Sequence, residues 1–75
     1  MHLFRIDGLT PESAALLRRA VAAQLPRLRL ETDVTRGLVA AEGAPGPEIE
    51  RALQAASAEA NVTYRGPIAP HRDSP

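Results

Sequence analysis

Few side chains in this sequence can do chemistry, and their spacing keeps them apart. There is no cysteine, so no thiolate is available to attack a substrate or bind a soft metal ion. The two histidines are His2 and His71. His2 opens a strand, and the chain after Arg65 is expected to emerge near it, which would let His71 reach His2. The Met1 amine, the His2 amide and its imidazole would then chelate Cu(II) or Ni(II). The simpler reading is a solvated terminal histidine and a tail histidine. These two are the weak metal candidates. Ser13 falls in the first turn of a helix, whereas His2 lies at the far end of a strand from Asp7, roughly 15 Å away by strand rise. Ser13, His2 and Asp7 therefore do not make the relay that nucleophilic catalysis needs. Asp7 and Glu12 can approach each other around a turn, but a carboxylate at a helix start more simply complements its dipole. No catalytic residue, no enzyme activity and no cofactor is expected.

The elements that must position these residues follow from periodicity. His2 to Asp7 alternates as a strand, with Phe4 and Ile6 inward and Leu3, Arg5 and Asp7 on the open side. Gly8 permits the turn. Thr10 caps a helix that Pro11 starts, and Glu12 suits its first turn. The helix runs to about Gln24 or Leu25, burying Ala14, Leu17, Val21 and Leu25 with Ala20 beside them, and Pro26 stops it. Arg27 to Asp33 is a second strand, with Leu28, Leu30 and Thr32 on one side. Thr35-Arg36-Gly37 makes a tight turn in which Gly37 supplies positive φ. Leu38 to Glu42 returns as a third strand with Val39 and Ala41 inward. After a glycine- and proline-rich loop, Pro47 starts a second helix that runs to about Ala58, with Ile49, Leu53, Ala56 and Ala60 on one face. Asn61 to Arg65 is a short fourth strand with Val62 and Tyr64 on one side. Gly66 to Pro75 contains three prolines and no periodicity, and is expected to be a disordered tail. The domain is thus residues 1–65 and the tail 66–75.

This order is strand, helix, strand, strand, helix, strand. Two split β-α-β units with right-handed crossovers give an α+β, ferredoxin-like sandwich, with an antiparallel sheet in the order 4-1-3-2 and two helices on one face. Seventy-five residues make one small domain, whose core is marginal. Only Phe4 and Tyr64 are aromatic, so Leu, Val, Ile and Ala must fill that core. Nine basic and nine acidic residues balance to zero net charge, which argues against a general nucleic-acid binder. No apolar run approaches the length of a membrane span, and the first residues lack the zones of a signal peptide. A soluble bacterial protein of the cytoplasm is expected.

Three stretches together resemble the heavy-metal-associated domain of small copper chaperones and metal-pumping ATPases. Ile6-Asp7-Gly8-Leu9-Thr10-Pro11-Glu12-Ser13-Ala14 stands where that family has a pattern like V-x-G-M-T-C-x-x-C. Leu25-Pro26 matches the L-P that often ends the family's first helix. Leu30 to Gly43 follows the spacing of its V-D-L-x-T-G-x-V-x-V-x-G hairpin. The resemblance covers roughly Leu3 to Arg65 and implies the ferredoxin-like fold and a link to metal transport or homeostasis. Its two thiolate positions fall on Pro11 and Ala14, neither of which binds a metal. The oxygens of Asp7, Thr10, Glu12 and Ser13 are too few for a calcium site. The resemblance therefore implies a degenerate metal site on a docking scaffold, a non-catalytic protein-binding module.

The open sheet face is the other candidate. It should carry Leu3, Arg5, Arg27, Arg29, Glu31, Leu38, Ala40, Thr63 and Arg65. Sheets of this fold bind RNA through stacked aromatics, and here both aromatics point inward. Cross-strand Arg/Glu pairing on a solvated face is one reading. The sharper one is a surface for another protein, with Leu3 and Leu38 as apolar anchors and Arg5, Arg29 and Arg65 as its rim. An alternative is an oligomerising protein that works through this face or an edge strand, the second and fourth strands being the expected edges. The expected state is a monomer or weak homodimer that binds neither nucleic acid nor membrane.

Overall fold

The computed structural model describes residues 1–68. Within them the chain runs β1 (His2–Asp7), α1 (Pro11–Gln24), β2 (Arg29–Asp33), β3 (Leu38–Glu42), α2 (Gly46–Ala60) and β4 (Thr63–Ile68). Every strand pair is antiparallel and the sheet order is β2-β3-β1-β4. This is the α+β, ferredoxin-like arrangement and strand order expected from the alternating periodicities. Phe4, Ile6, Val39 and Ala41 of the sheet share one core with Leu17 and Val21 of α1 and with Ile49, Leu53 and Ala56 of α2. The fully buried side chains are aliphatic, led by Ile6, Leu17, Ile49 and Leu53.

Local chemistry sets the element ends. Leu25 closes α1 by donating its N–H to the Val21 carbonyl at 2.8 Å, and Pro26 prevents another turn. α2 begins at Gly46, one residue before the expected Pro47, because the Pro45 carbonyl accepts from the N–H groups of Glu48 (3.0 Å) and Ile49 (3.1 Å). It continues past the expected Ala58 to Ala60, where Asn61 adopts φ +62° and ends it. Asn tolerates this left-handed conformation better than most residues.

The hairpin between β2 and β3 is fastened to β1. The Gly37 N–H donates to the Asp33 carbonyl (2.9 Å), and the Ile6 N–H donates to the Gly37 carbonyl (2.9 Å). Asp33 Oδ1 accepts from the Arg36 N–H at 3.2 Å, a side-chain turn of the kind Asp favours. Gly37 has φ +68°, and a Cβ there would stand 2.9 Å from the Ile6 carbonyl oxygen. Glycine is therefore required twice over, by dihedral and by space.

Two strand boundaries correct the periodic reading. β2 starts at Arg29, not Arg27, because its partner β3 ends at Glu42, the last residue to face it. Gly43 then turns away at φ +114°, and Arg27 lies in a turn off the sheet. β4 runs Thr63–Ile68 instead of Asn61–Arg65, so 66–68, read as the start of a tail, belong to the sheet. A bulge makes this possible. Ile6 faces Tyr64 and Arg5 faces Gly66, leaving Arg65 as the extra residue, and Gly66 absorbs the irregularity at φ +127°. Pro67 is tolerated because β4 is an edge strand with one free side. The rest of the expected tail, 69–75 with His71, lies outside the described residues.

Two substitutions test this account by chemical denaturation. Gly37→Ala should cost about 2 kcal/mol from backbone strain and the clash at Ile6. Ser57 is buried on α2 and its Oγ finds no hydrogen-bond partner among the described residues. Ser57→Ala removes that desolvated hydroxyl and should add up to about 1 kcal/mol of stability; a loss of stability would mean that the hydroxyl is satisfied.

Candidate functional site

The loop after β1 is closed by its own hydrogen bonds. Thr10, with extended φ and ψ, caps α1. Ser13 N–H donates to Thr10 Oγ1 (3.1 Å), while Thr10 N–H donates to Ser13 Oγ (2.8 Å). This is a reciprocal capping box in which Ser replaces the usual Glu or Gln. The Ser13 hydroxyl also donates to the Thr10 carbonyl at 3.3 Å. It is held by the cap, and His2 stands at the other end of β1. Pro11 occupies the first helical position and is exposed, whereas Ala14 is buried in the core. Asp7 turns to the opposite side of the sheet, where Arg65 Nε stands 3.4 Å from its carboxylate.

His2 lies on the helix-covered side of β1, against the start of α2. A Cβ on Gly46 would stand 3.2 Å from its ring, and its ring centroid is 6.4 Å from that of Phe4. Phe4 in turn is 6.2 Å from Tyr64. Around this row a hollow of about 550 Å³ is lined by Met1, His2, Phe4, Pro47, Glu50 and Ile68, among others. Its carboxylate is engaged: Tyr64 O–H donates to Glu50 Oε2 at 3.0 Å. Among the described residues no three His, Asp or Glu side chains gather where they could hold a metal ion. The other histidine candidate, His71, is outside those residues.

The open face is laid out by strand register, because residues directly opposite in antiparallel strands point to the same side. One row across the sheet reads Ile68, Leu3, Ala40, Glu31. The next reads Gly66, Arg5, Leu38, Asp33, with bulged Arg65 beside it. Leu3 is 39% exposed, and neither Leu38 nor Ile68 is among the half-buried side chains that pack on the core. Leu3, Leu38 and Ala40 line a shallow concavity of about 420 Å³ with Glu31, Asp33 and their neighbours. The structure thus brings together Leu3, Leu38 and Arg5 of the anticipated surface. Arg29 and Arg65 stand on opposite edge strands, each in an ion pair: Arg29 with Glu42 (3.6 Å) and Arg65 with Asp7 (3.4 Å). Arg27 is off the face altogether. Ile68 was missed because Gly66 and Pro67 read as breakers; a glycine after a strand can equally signal a bulge, and the apolar residue beyond it was the clue.

Charge divides this face in two. Its β1–β4 half carries Arg5 and Arg65 against Asp7, and its β3–β2 half carries Glu31, Asp33 and Glu42 against Arg29. Arg5 and Glu31 take part in none of the ion pairs among the described residues. The pairs that do form are solvent-exposed, and such pairs contribute about 0–1 kcal/mol. Among the described residues, no helix is long and apolar enough to cross a membrane. No protein-family model, no curated protein and no solved structure matches this chain.

Tyr64 gives a pH prediction. Burial first, then the hydrogen bond to Glu50 and its negative charge, raise the phenol far above the usual tyrosine value of 10.0. The unfolded chain loses this proton at its ordinary pKa while the fold retains it, so stability is fully present below about pH 10 and falls as pH rises beyond it. Tyr64 is the sole tyrosine, so tyrosinate absorbance reads it directly. The folded protein should show no tyrosinate while free tyrosine titrates, and Glu50→Gln should lower the midpoint without restoring the free value.

Proposed function

We propose that this domain is a non-catalytic protein-binding module whose working surface is the open face of the sheet. The observation that carries the reading is the apolar strip of Ile68, Leu3, Ala40 and Leu38, on strands whose other side holds the whole core. Apolar side chains that serve no core, set together and rimmed by charge, are the usual make-up of a docking surface. The capping box supports the non-catalytic half of the reading. It spends the polar atoms of Thr10 and Ser13 on the helix start, and Pro11 and Ala14 offer no donor. The resemblance to the heavy-metal-associated domain adds a setting, that of a metal-transport or metal-homeostasis scaffold that keeps its docking role without its thiolates.

Titration with Cu(I) and Zn(II), followed by backbone amide shifts, tests the loss of the metal site. Gly8 to Ala14 should show no tight, stoichiometric response; such a response overturns the reading. The role of the face is tested by stability. Leu3→Ser should cost less than about 1 kcal/mol in dilute solution, as surface substitutions do, whereas a cost near that of a core leucine would make Leu3 a packing residue and sink the partner-surface assignment.

A further inference from the structure

We propose that the partner of the open face is a second copy of this chain, docked face to face about a two-fold axis that lies in the interface, parallel to the strands and between β1 and β3. This rests on the reading of the face as a docking surface and goes beyond it by naming the occupant.

The layout of the face is self-complementary under that operation. Sheets that pack face to face stand about 10 Å apart with strands inclined by about 30°. The axis exchanges the β1–β4 half of one copy with the β3–β2 half of the other. In the first row, Leu3 of each copy then lies over Ala40 of the other, a large side chain over a small one, twice. Ile68 covers the stem of the other copy's Glu31. In the second row, Arg5 lies over Leu38 of the other copy, with Glu31 and Asp33 of that copy within the reach of its guanidinium. Arg5 and Glu31, the face charges that no ion pair engages within the described chain, thereby find each other across the interface.

The alternatives fit less well. A two-fold axis perpendicular to the strands would stack each strand on its own copy, bringing Arg5 toward Arg5 and the acidic edge toward itself, a juxtaposition that like charges oppose. Edge-to-edge pairing through β4 meets Pro67, which has no N–H to offer, and a bulge at Gly66 that breaks the ladder. Zero net charge leaves no long-range repulsion between copies.

Sedimentation equilibrium of the full chain, from micromolar to millimolar concentration, tests the proposal together with a charge exchange. The wild-type chain should show a reversible monomer–dimer equilibrium. Arg5→Glu and Glu31→Arg should each weaken it about tenfold, by placing like charges across the interface. The double variant R5E/E31R should recover most of that loss, which a merely structural role of either exposed residue would not produce. A strict monomer throughout the range overturns the proposal and leaves the docking surface to residues 69–75 or to a different protein. A dimer insensitive to the exchange, with new amide protection confined to β2 or β4, overturns it in favour of edge pairing. Neither outcome touches the metal titration or the Leu3→Ser stability, so failure here is separable from failure of the module reading.

Discussion

Ile6, Val39 and Ala41 lie sealed beneath Leu17, Val21, Ile49 and Leu53, and the rest of the molecule is arranged around that one aliphatic layer. With neither disulfide nor large aromatic core to share the task, burial of these side chains is the dominant favourable term in folding. It also sets the register, since a one-residue slip of any strand would carry its apolar residues to the wrong side. The Ile6 amide held by the Gly37 carbonyl at 2.9 Å ties the hairpin to β1 at the level of that layer. Two helices suffice to cover one side of a four-stranded sheet. The other side is left to water or to a partner.

The loop between β1 and α1 is committed to starting the helix. A helix start needs its first amides satisfied, and Thr10 and Ser13 do this with side-chain oxygens held 2.8 and 3.1 Å from each other's amide nitrogens. Gly8, Thr10 and Pro11 meet the backbone requirements of the turn. The side chains of Thr10 and Pro11 are taken up by the fold.

Much of the fold was legible because each local signal agreed with its neighbours. Thr10 and Pro11 marked the start of α1, Gly37 the hairpin, and the spacing of Ile49, Leu53, Ala56 and Ala60 the buried face of α2. The misreadings fell where one residue's effect depends on a strand it meets only in three dimensions. Arg27 alternates correctly but has no strand opposite it, because Gly43 turns β3 away. Pro67 breaks an interior strand yet is harmless on an edge, and nothing local tells the two cases apart. Of the candidate face, Leu3, Arg5 and Leu38 could be placed from alternation, whereas Ile68 needed the bulge, and the separation of Arg29 from Arg65 needed the strand order. The two histidines offered composition without geometry: His2 rests against Gly46 on the covered side of the sheet.

The bulge in β4 has a consequence for how such a surface can change. By holding one extra residue, Arg65, the strand inverts its own alternation: Tyr64 stands opposite Ile6 and Ile68 opposite Leu3, on opposite sides of the sheet. Chain length between these two residues thus acts as a parity device. Loss of Arg65 itself would restore regular alternation and keep Ile68 opposite Leu3, whereas an insertion or deletion of one residue that left the bulge in place would send Ile68 and Pro67 to exchanged sides and keep Tyr64 paired with Ile6. The outward face can therefore be rewritten by a change in length alone, without substituting any residue of the aliphatic layer, and the edge strand is where this protein's lineage would find surface variation cheapest.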